Sequence, residues 1–318
     1  LFSFWGSNHE FKYDQFMVDM PKIDSMRFKV KQFNVPPGER AGLVNVQTVL
    51  SNLQGRLKID RSDNKSSKEY YPEYPIFEAL NNSFVYYDHP SIHNGVYNRE
   101  DFYVAVEPFT VDSLDNATTD GLLFDATFHS ADIFPTFPQP LMVMPDYSLG
   151  FERIMSNALT YKGSGQFDGR LALSNKGLQA SGYIKYIQST LASNDILFFP
   201  KQASGNASKF DLTQNTTMGK GYPKVASSDN PFLWMPYEDE LHLRTQSVPF
   251  NMFYAQNLNA RGELTYGSQG LFGAGELRYG TAMHSSKEEG FTFYNTSFVS
   301  SNQDFRVKTK LDDEQWAF

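Results

Sequence analysis

A chain of 318 residues with a net charge of −8, 36 acidic against 28 basic side chains, lacks the basic stripe that a nucleic-acid-binding surface needs. It contains no apolar run of 18 residues, so no segment reads as a membrane-spanning helix. Cysteine is absent, which removes thiolate zinc sites, iron–sulfur clusters, disulfides and thiol nucleophiles, and suits an oxidising, extracytoplasmic setting. Phe and Tyr are abundant, 28 and 18 residues, and flat rings favour the pleated surface of strands.

In chain order, period-two alternation marks strands at Arg27–Val30, Leu57–Ile59, Phe102–Val106 and Asp125–Phe128. Pro36-Pro37-Gly38 breaks the chain and Asp60–Lys68 reads as a polar turn or exposed loop. Pro75–Asn82 carries Ile76, Phe77 and Leu80 at helical spacing and predicts a short helix of two turns. Around it, residues 70–103 gather seven tyrosines. Tyr70, Tyr71, Tyr74, Tyr86, Tyr87 and Tyr97 form the candidate aromatic contact patch, with sheet packing as the alternative role for the segment. Pro135, Pro138, Pro140 and Pro145 then forbid continuous ladder pairing, so this stretch is expected to wrap or cap a sheet and to mark a boundary.

Beyond it, GRLALSNKGLQASGYIKY (Gly169–Tyr186) returns 93 residues later as GELTYGSQGLFGAGELRY (Gly262–Tyr279). Gly169, Gly177 and Gly182 align with Gly262, Gly270 and Gly275, and Leu171, Leu178 and Tyr186 with Leu264, Leu271 and Tyr279. Phe198 and Phe291 extend the match, and Leu53–Ile59 echoes its start in the first half. Each copy reads as strand, turn, strand, with Gly177 supplying the turn and Gly182 a bulge or close backbone approach. A phosphate-binding glycine loop would need a helix after the last glycine, and the alternation there continues with period two. The six glycines are therefore assigned to backbone geometry. The expected organisation is a loop-rich β region over 1–155, a repeat unit over 156–250 and a second, truncated unit over 251–318, together an all-β, elongated array of the β-solenoid or stacked-sheet type.

The repeated Gly-x-Leu-x-Leu, turn, Gly-Leu-x-x-x-Gly-x-Ile pattern resembles the units of very large, uncharacterised cell-envelope proteins of Bacteroidota, as do MPKIDSMRFKV, YPIFEALNNSFVYYD, GVYNREDFYVAVEPFTVDSLD and PDYSLGFE. The resemblance implies an outer-membrane-associated or surface β-rich protein of which this chain is a segment or processed product. It supplies no catalytic residues. Its expected partners are neighbouring repeats or other envelope proteins.

Signals for chemistry are sparse. His89 and His93 stand four apart but flank Pro90 without a metalloprotease glutamate, and read as loop histidines. Glu238, Asp239 and Glu240 invite an acid–base reading in which only Glu238 and Glu240 could share a strand face; a solvated loop is the simpler expectation. The oxygen-rich turns Asp60/Asp63/Asn64 and Asp112/Asp115/Asn116/Asp120 carry the atoms Ca²⁺ takes, but neither follows the EF-hand loop, and no cofactor is expected. Gly163-Ser164-Gly165 lacks the spacing of a nucleophile elbow and reads as a flexible turn. Six Asn-X-Ser/Thr sequons, at Asn64, Asn81, Asn116, Asn206, Asn215 and Asn295, mark surface turns. The leading expectation is a non-catalytic structural or interaction module. The alternatives are a polysaccharide-binding or polysaccharide-degrading β protein, predicting a tyrosine-lined cleft, and a lipid-carrying β groove, predicting an open apolar face.

Overall fold

The computed structural model describes residues 2–114, 122–217, 221–253, 258–300, 303–308 and 316–317. The chain is all-β, built from large sheets in which every described pairing is antiparallel. It divides into two compact units: residues 1–152 with 172–177, and residues 153–171 with 178–318.

In the first unit the sheet runs through Phe2–Ser7, Met17–Lys31, Leu50–Lys58, Ser83–Tyr86, Phe102–Val106, Ala126–Ser130 and Phe137–Pro138. Alternation dictates which face is which. Phe102, Val104 and Val106 are buried while Tyr103 and Ala105 between them are half-buried, and Ala126, Phe128 and Ser130 repeat the pattern. Met26, Phe28, Val30, Leu50, Val85 and Phe124 complete a core with 0–1% exposure. Pro138 sits in the last strand of the order, where a missing N–H costs no inner ladder bond.

Two local expectations change. Pro75–Asn82 is not a helix: Ile76–Ala79 is a strand paired with Gly55–Lys58 on one side and Thr110–Val111 on the other. Phe77 and Ala79 point inward and Ile76 and Glu78 outward, a period of two that four residues cannot distinguish from a helical turn. Asn81 closes the following turn, accepting from the Gln54 amide at 2.6 Å and donating to the Asn52 carbonyl at 3.0 Å. The polar loop after Asp60 contains one helical turn, Ser62–Lys65.

In the second unit two hairpins carry the sequence match. Gly165–Ser174 turns through Asn175 and Lys176 into Gly177–Tyr186, and Leu258–Gly267 turns through Ser268 and Gln269 into Gly270–Tyr279; the residues of the first turn, 172–177, count with the first unit. Each hairpin hands on to a longer strand, Ser189–Phe199 and Ala282–Phe293. The ladder shifts register at corresponding places, by one residue between Ala180 and Gly182 and by three between Gly273 and Gly275.

Beside each shift, on the ladder within the hairpin, two glycines face one another. Gly262 pairs directly with Gly275, with φ of 130° and 124°, and Gly169 lies against Gly182, with φ of 148° and 152°. A methyl group on Gly169 would sit 2.2 Å from the Ser181 carbonyl oxygen, and one on Gly262 2.0 Å from that of Ala274. Two backbones meet at each site with no room for a Cβ on either side. Gly177 and Gly270 open the return strands with φ of 87° and 130°.

Candidate functional site

The six tyrosines do not form one patch. Tyr87 and Tyr97 are fully buried. Tyr87 donates to the Leu149 carbonyl at 2.9 Å, and Tyr97 packs on Phe102 with ring centroids 4.3 Å apart. Adjacent strand residues face opposite ways, so Tyr86 points outward where Tyr87 points inward. Tyr70 is 83% exposed. Tyr71 lies under the Arg61 guanidinium, 4.1 Å from the ring centre, and its hydroxyl donates to Asp63 at 3.4 Å. Tyr74 is half-buried and precedes a cis peptide bond to Pro75.

Tyr86 is the member of the set that reaches a cleft. It lines a cavity of about 380 Å³ within the first unit, together with Asp88, His89, Arg99, Gln47 and Asn175. Strand Ser83–Tyr86 delivers Tyr86 and the loop after it delivers Asp88 and His89. The loop before Phe102–Val106 brings Arg99 back over them. The Arg99 Nε donates to Asp88 Oδ2 at 2.5 Å while its guanidinium lies 4.9 Å from the Tyr86 ring centre. The Asp88 hydrogen bond and its charge raise the Arg99 pKa above the ordinary guanidinium value. His89 is fixed through Nδ1, 2.7 Å from Ser91 Oγ.

The opposite wall comes from Gln47–Val49 and the turn residue Asn175. Thr48, 5% exposed, accepts from the Leu149 amide at 2.9 Å and donates to Asn175 Oδ1 at 3.4 Å, which aims the Asn175 amide nitrogen at Gln47 Oε1, 3.5 Å away. His93 does not join His89: its Nε2 meets the Lys176 carbonyl at 2.9 Å.

From Tyr86 an outward ladder continues over three neighbouring strands through Phe84, Tyr103 and His129. Tyr86 and Tyr103 are directly paired, and Tyr103 stacks on His129 at 4.4 Å. Sequence reading of the tyrosines passes over His129 and Arg99 because both rely on cross-strand neighbours; the alternation Phe84-x-Tyr86 facing Tyr103 is the signal that could find them.

The carboxylate triplet is taken apart by its turn. Glu238 and Asp239 occupy the turn between Asn230–Met235 and Glu240–Arg244, and Glu238 is exposed. Glu240 Oε2 lies 2.8 Å from His242 Nε2. The anchored member is Asp239, which accepts from Tyr186 Oη at 2.6 Å and from the Ser268 amide at 3.0 Å, tying its turn to that of the second hairpin. Burial raises the Asp239 pKa, but the Ser268 and Tyr186 hydrogen bonds outweigh it and hold the carboxyl below the ordinary range.

The turn at Asp60 is likewise self-satisfied. Asp63 pairs with Arg61 at 2.9 Å and Asp60 accepts from the Asn64 amide nitrogen at 2.6 Å. Among the described residues no group of three metal-ligating side chains converges, and Asp115, Asn116 and Asp120 of the second oxygen-rich turn lie outside them. The side-chain nitrogens of three sequon residues, Asn64, Asn81 and Asn206, donate within the fold. Gly163-Ser164-Gly165 is a tight turn, and a Cβ on Gly165 would meet the Trp234 ring at 2.5 Å. The apolar residues of both hairpins, Leu171, Leu178 and Ile184 and then Leu264, Leu271 and Leu277, are 0–3% exposed, leaving no open apolar face at those positions.

No helix among the described residues is long and apolar enough to cross a membrane. Comparison of the chain with protein-family models, with curated proteins and with solved structures returns no match.

Proposed function

We propose that this chain is a non-catalytic structural or interaction module of a large extracytoplasmic cell-envelope protein of the Bacteroidota type. One observation carries the reading: two hairpins 93 residues apart share their glycine positions, their cross-strand glycine contacts and the place at which the ladder shifts register. Sheets assembled from such units extend by adding strands at an edge, and each unit buries apolar surface that it could not bury alone. The module then works by geometry, as a spacer and a docking frame in a stacked array, with neighbouring repeats or other envelope proteins as partners. The test is the coding sequence surrounding this segment in its source genome. Further copies of the glycine pattern and an export signal are expected; an isolated reading frame with neither would sink the proposal.

A further inference from the structure

The polar cleft of the first unit goes beyond a structural role, and its case rests on its own side chains. Its charges cancel. Arg99 and Asp88 are paired, and Gln47, Asn175, Thr48 and Ser91 are neutral. A phosphate or carboxylate ligand would need an uncompensated cation, and the guanidinium of the cleft, Arg99, is already paired with Asp88. What it does offer is hydrogen-bonding capacity in planar groups held in place. The Arg99 guanidinium is fixed through Nε by Asp88 and by the Tyr86 ring, which leaves its two terminal nitrogens to donate. His89 is fixed through Nδ1, which leaves Nε2 as its second hydrogen-bonding nitrogen. Thr48 orients the Asn175 amide from a buried position. Fixed fork-shaped donors beside a carboxylate match adjacent hydroxyl groups, because each hydroxyl both donates and accepts.

The remaining lining is apolar and supplies what a sugar ring requires on its carbon side. Val49, Ile92 and Tyr86 belong to the same lining. Aromatic and aliphatic surface beside planar polar groups is the combination that takes up a molecule with hydroxyls on its rim and C–H groups on its face. A cavity of about 380 Å³ is at the small end of ligand sites, which run from roughly 300 to 1,000 Å³, and sets the occupant at a short stretch of glycan.

We infer that the cleft between Tyr86, Arg99 and Asn175 is a binding site for a neutral saccharide. The ordering of Arg99, His89 and Asn175 by Asp88, Ser91 and Thr48 reduces the entropy lost when the sugar binds. The site recognises and holds a glycan and performs no chemistry on it.

Saturation-transfer NMR and calorimetry on the full 318-residue chain would test this with cellotetraose, mannotetraose, maltotetraose and chitotetraose as neutral probes and tetragalacturonate as an anionic one. At least one neutral probe is expected to bind with a Kd in the micromolar to millimolar range. Arg99→Ala and Asn175→Ala should each weaken that binding by tenfold or more. Tyr70→Ala, on an exposed ring outside the cleft, should leave it unchanged. Thermal melting of each variant shows that the fold is intact, and Arg99→Lys, which keeps charge but loses the fork, provides a gentler change expected to weaken binding several-fold. Absence of binding by all four neutral probes overturns the inference, as does binding that ignores Arg99→Ala and Asn175→Ala. Tighter binding of tetragalacturonate than of every neutral probe also overturns it. Each of these outcomes leaves the structural reading standing, because that reading is decided by the flanking coding sequence.

Discussion

A methyl group placed on Gly169 or Gly262 collides with a carbonyl oxygen of the facing strand, and the φ of 148° or 130° adds strain for any L side chain. Gly169→Ala and Gly262→Ala are therefore expected to cost about 2–3 kcal/mol or more in urea unfolding. Gly42→Ala, whose Cβ would meet nothing closer than Gln32 at 3.6 Å, should stay within about 0.5 kcal/mol. Equal stability of the three variants would show that the cross-strand glycine contacts are not required. The buried phenols give a second residue-scale outcome. Burial raises the pKa of Tyr87, Tyr186 and Tyr266, and the Asp239 and Tyr222 hydrogen bonds add to it for the latter two. A group with a raised folded pKa contributes stability below its unfolded value, here 10.0, and that contribution is lost as pH rises. Absorbance titration should find a class of phenols, Tyr87, Tyr186 and Tyr266 among them, that ionises only as the fold is lost. A single transition near pH 10 would contradict this.

At the scale of elements, Tyr161 illustrates how one hydroxyl fixes a turn. Its Oη lies 2.9 Å from the Phe199 carbonyl and 2.6 Å from that of Gln202, the two ends of the hairpin turn between Ser189–Phe199 and Gln202–Leu212. Tyr161→Phe removes the donor and keeps the ring, so a loss of about 1–2 kcal/mol is expected, with faster amide exchange at that turn; unchanged exchange would assign the hydroxyl no role there. Strands such as Phe102–Val106 were legible because one residue in two is apolar, and the glycine hairpins because they occur twice. Ile76–Ala79 was not, since four residues fit either period and only pairing with Leu57 and Val111 decides between them. The cleft was half legible. Tyr86 is visible in the tyrosine run, but its separation from buried Tyr87 depends on register, and Arg99, Gln47 and Asn175 arrive from distant parts of the chain. Asp239 was overlooked within its triplet because its partners, Tyr186 and Ser268, lie 53 and 29 residues away.

For the whole molecule, the carboxylates set the response to acid. Asp19 is held low by Lys12, Asp168 by the Asn157 amide and Lys185, and Asp229 by Asn206 and Ser247; Asp239 is low because hydrogen bonds outweigh its burial. Depressed folded pKa values contribute stability that is present above the unfolded value of 3.8 and lost as pH falls through the folded values. The urea midpoint should thus be flat from neutral pH to about 5 and fall steeply below about 4, and a midpoint that rises there would contradict the assignment. The proposed location in the cell envelope belongs to the whole molecule. The proposal of an extracytoplasmic scaffold rests on the repeated hairpin, on a chain without cysteine and on the resemblance to envelope repeats. The most direct measurement is fractionation of source cells expressing the tagged parent protein, with protease added to intact and to lysed cells. Recovery with the envelope fraction is predicted; recovery in the cytosol, protected until lysis, would contradict it.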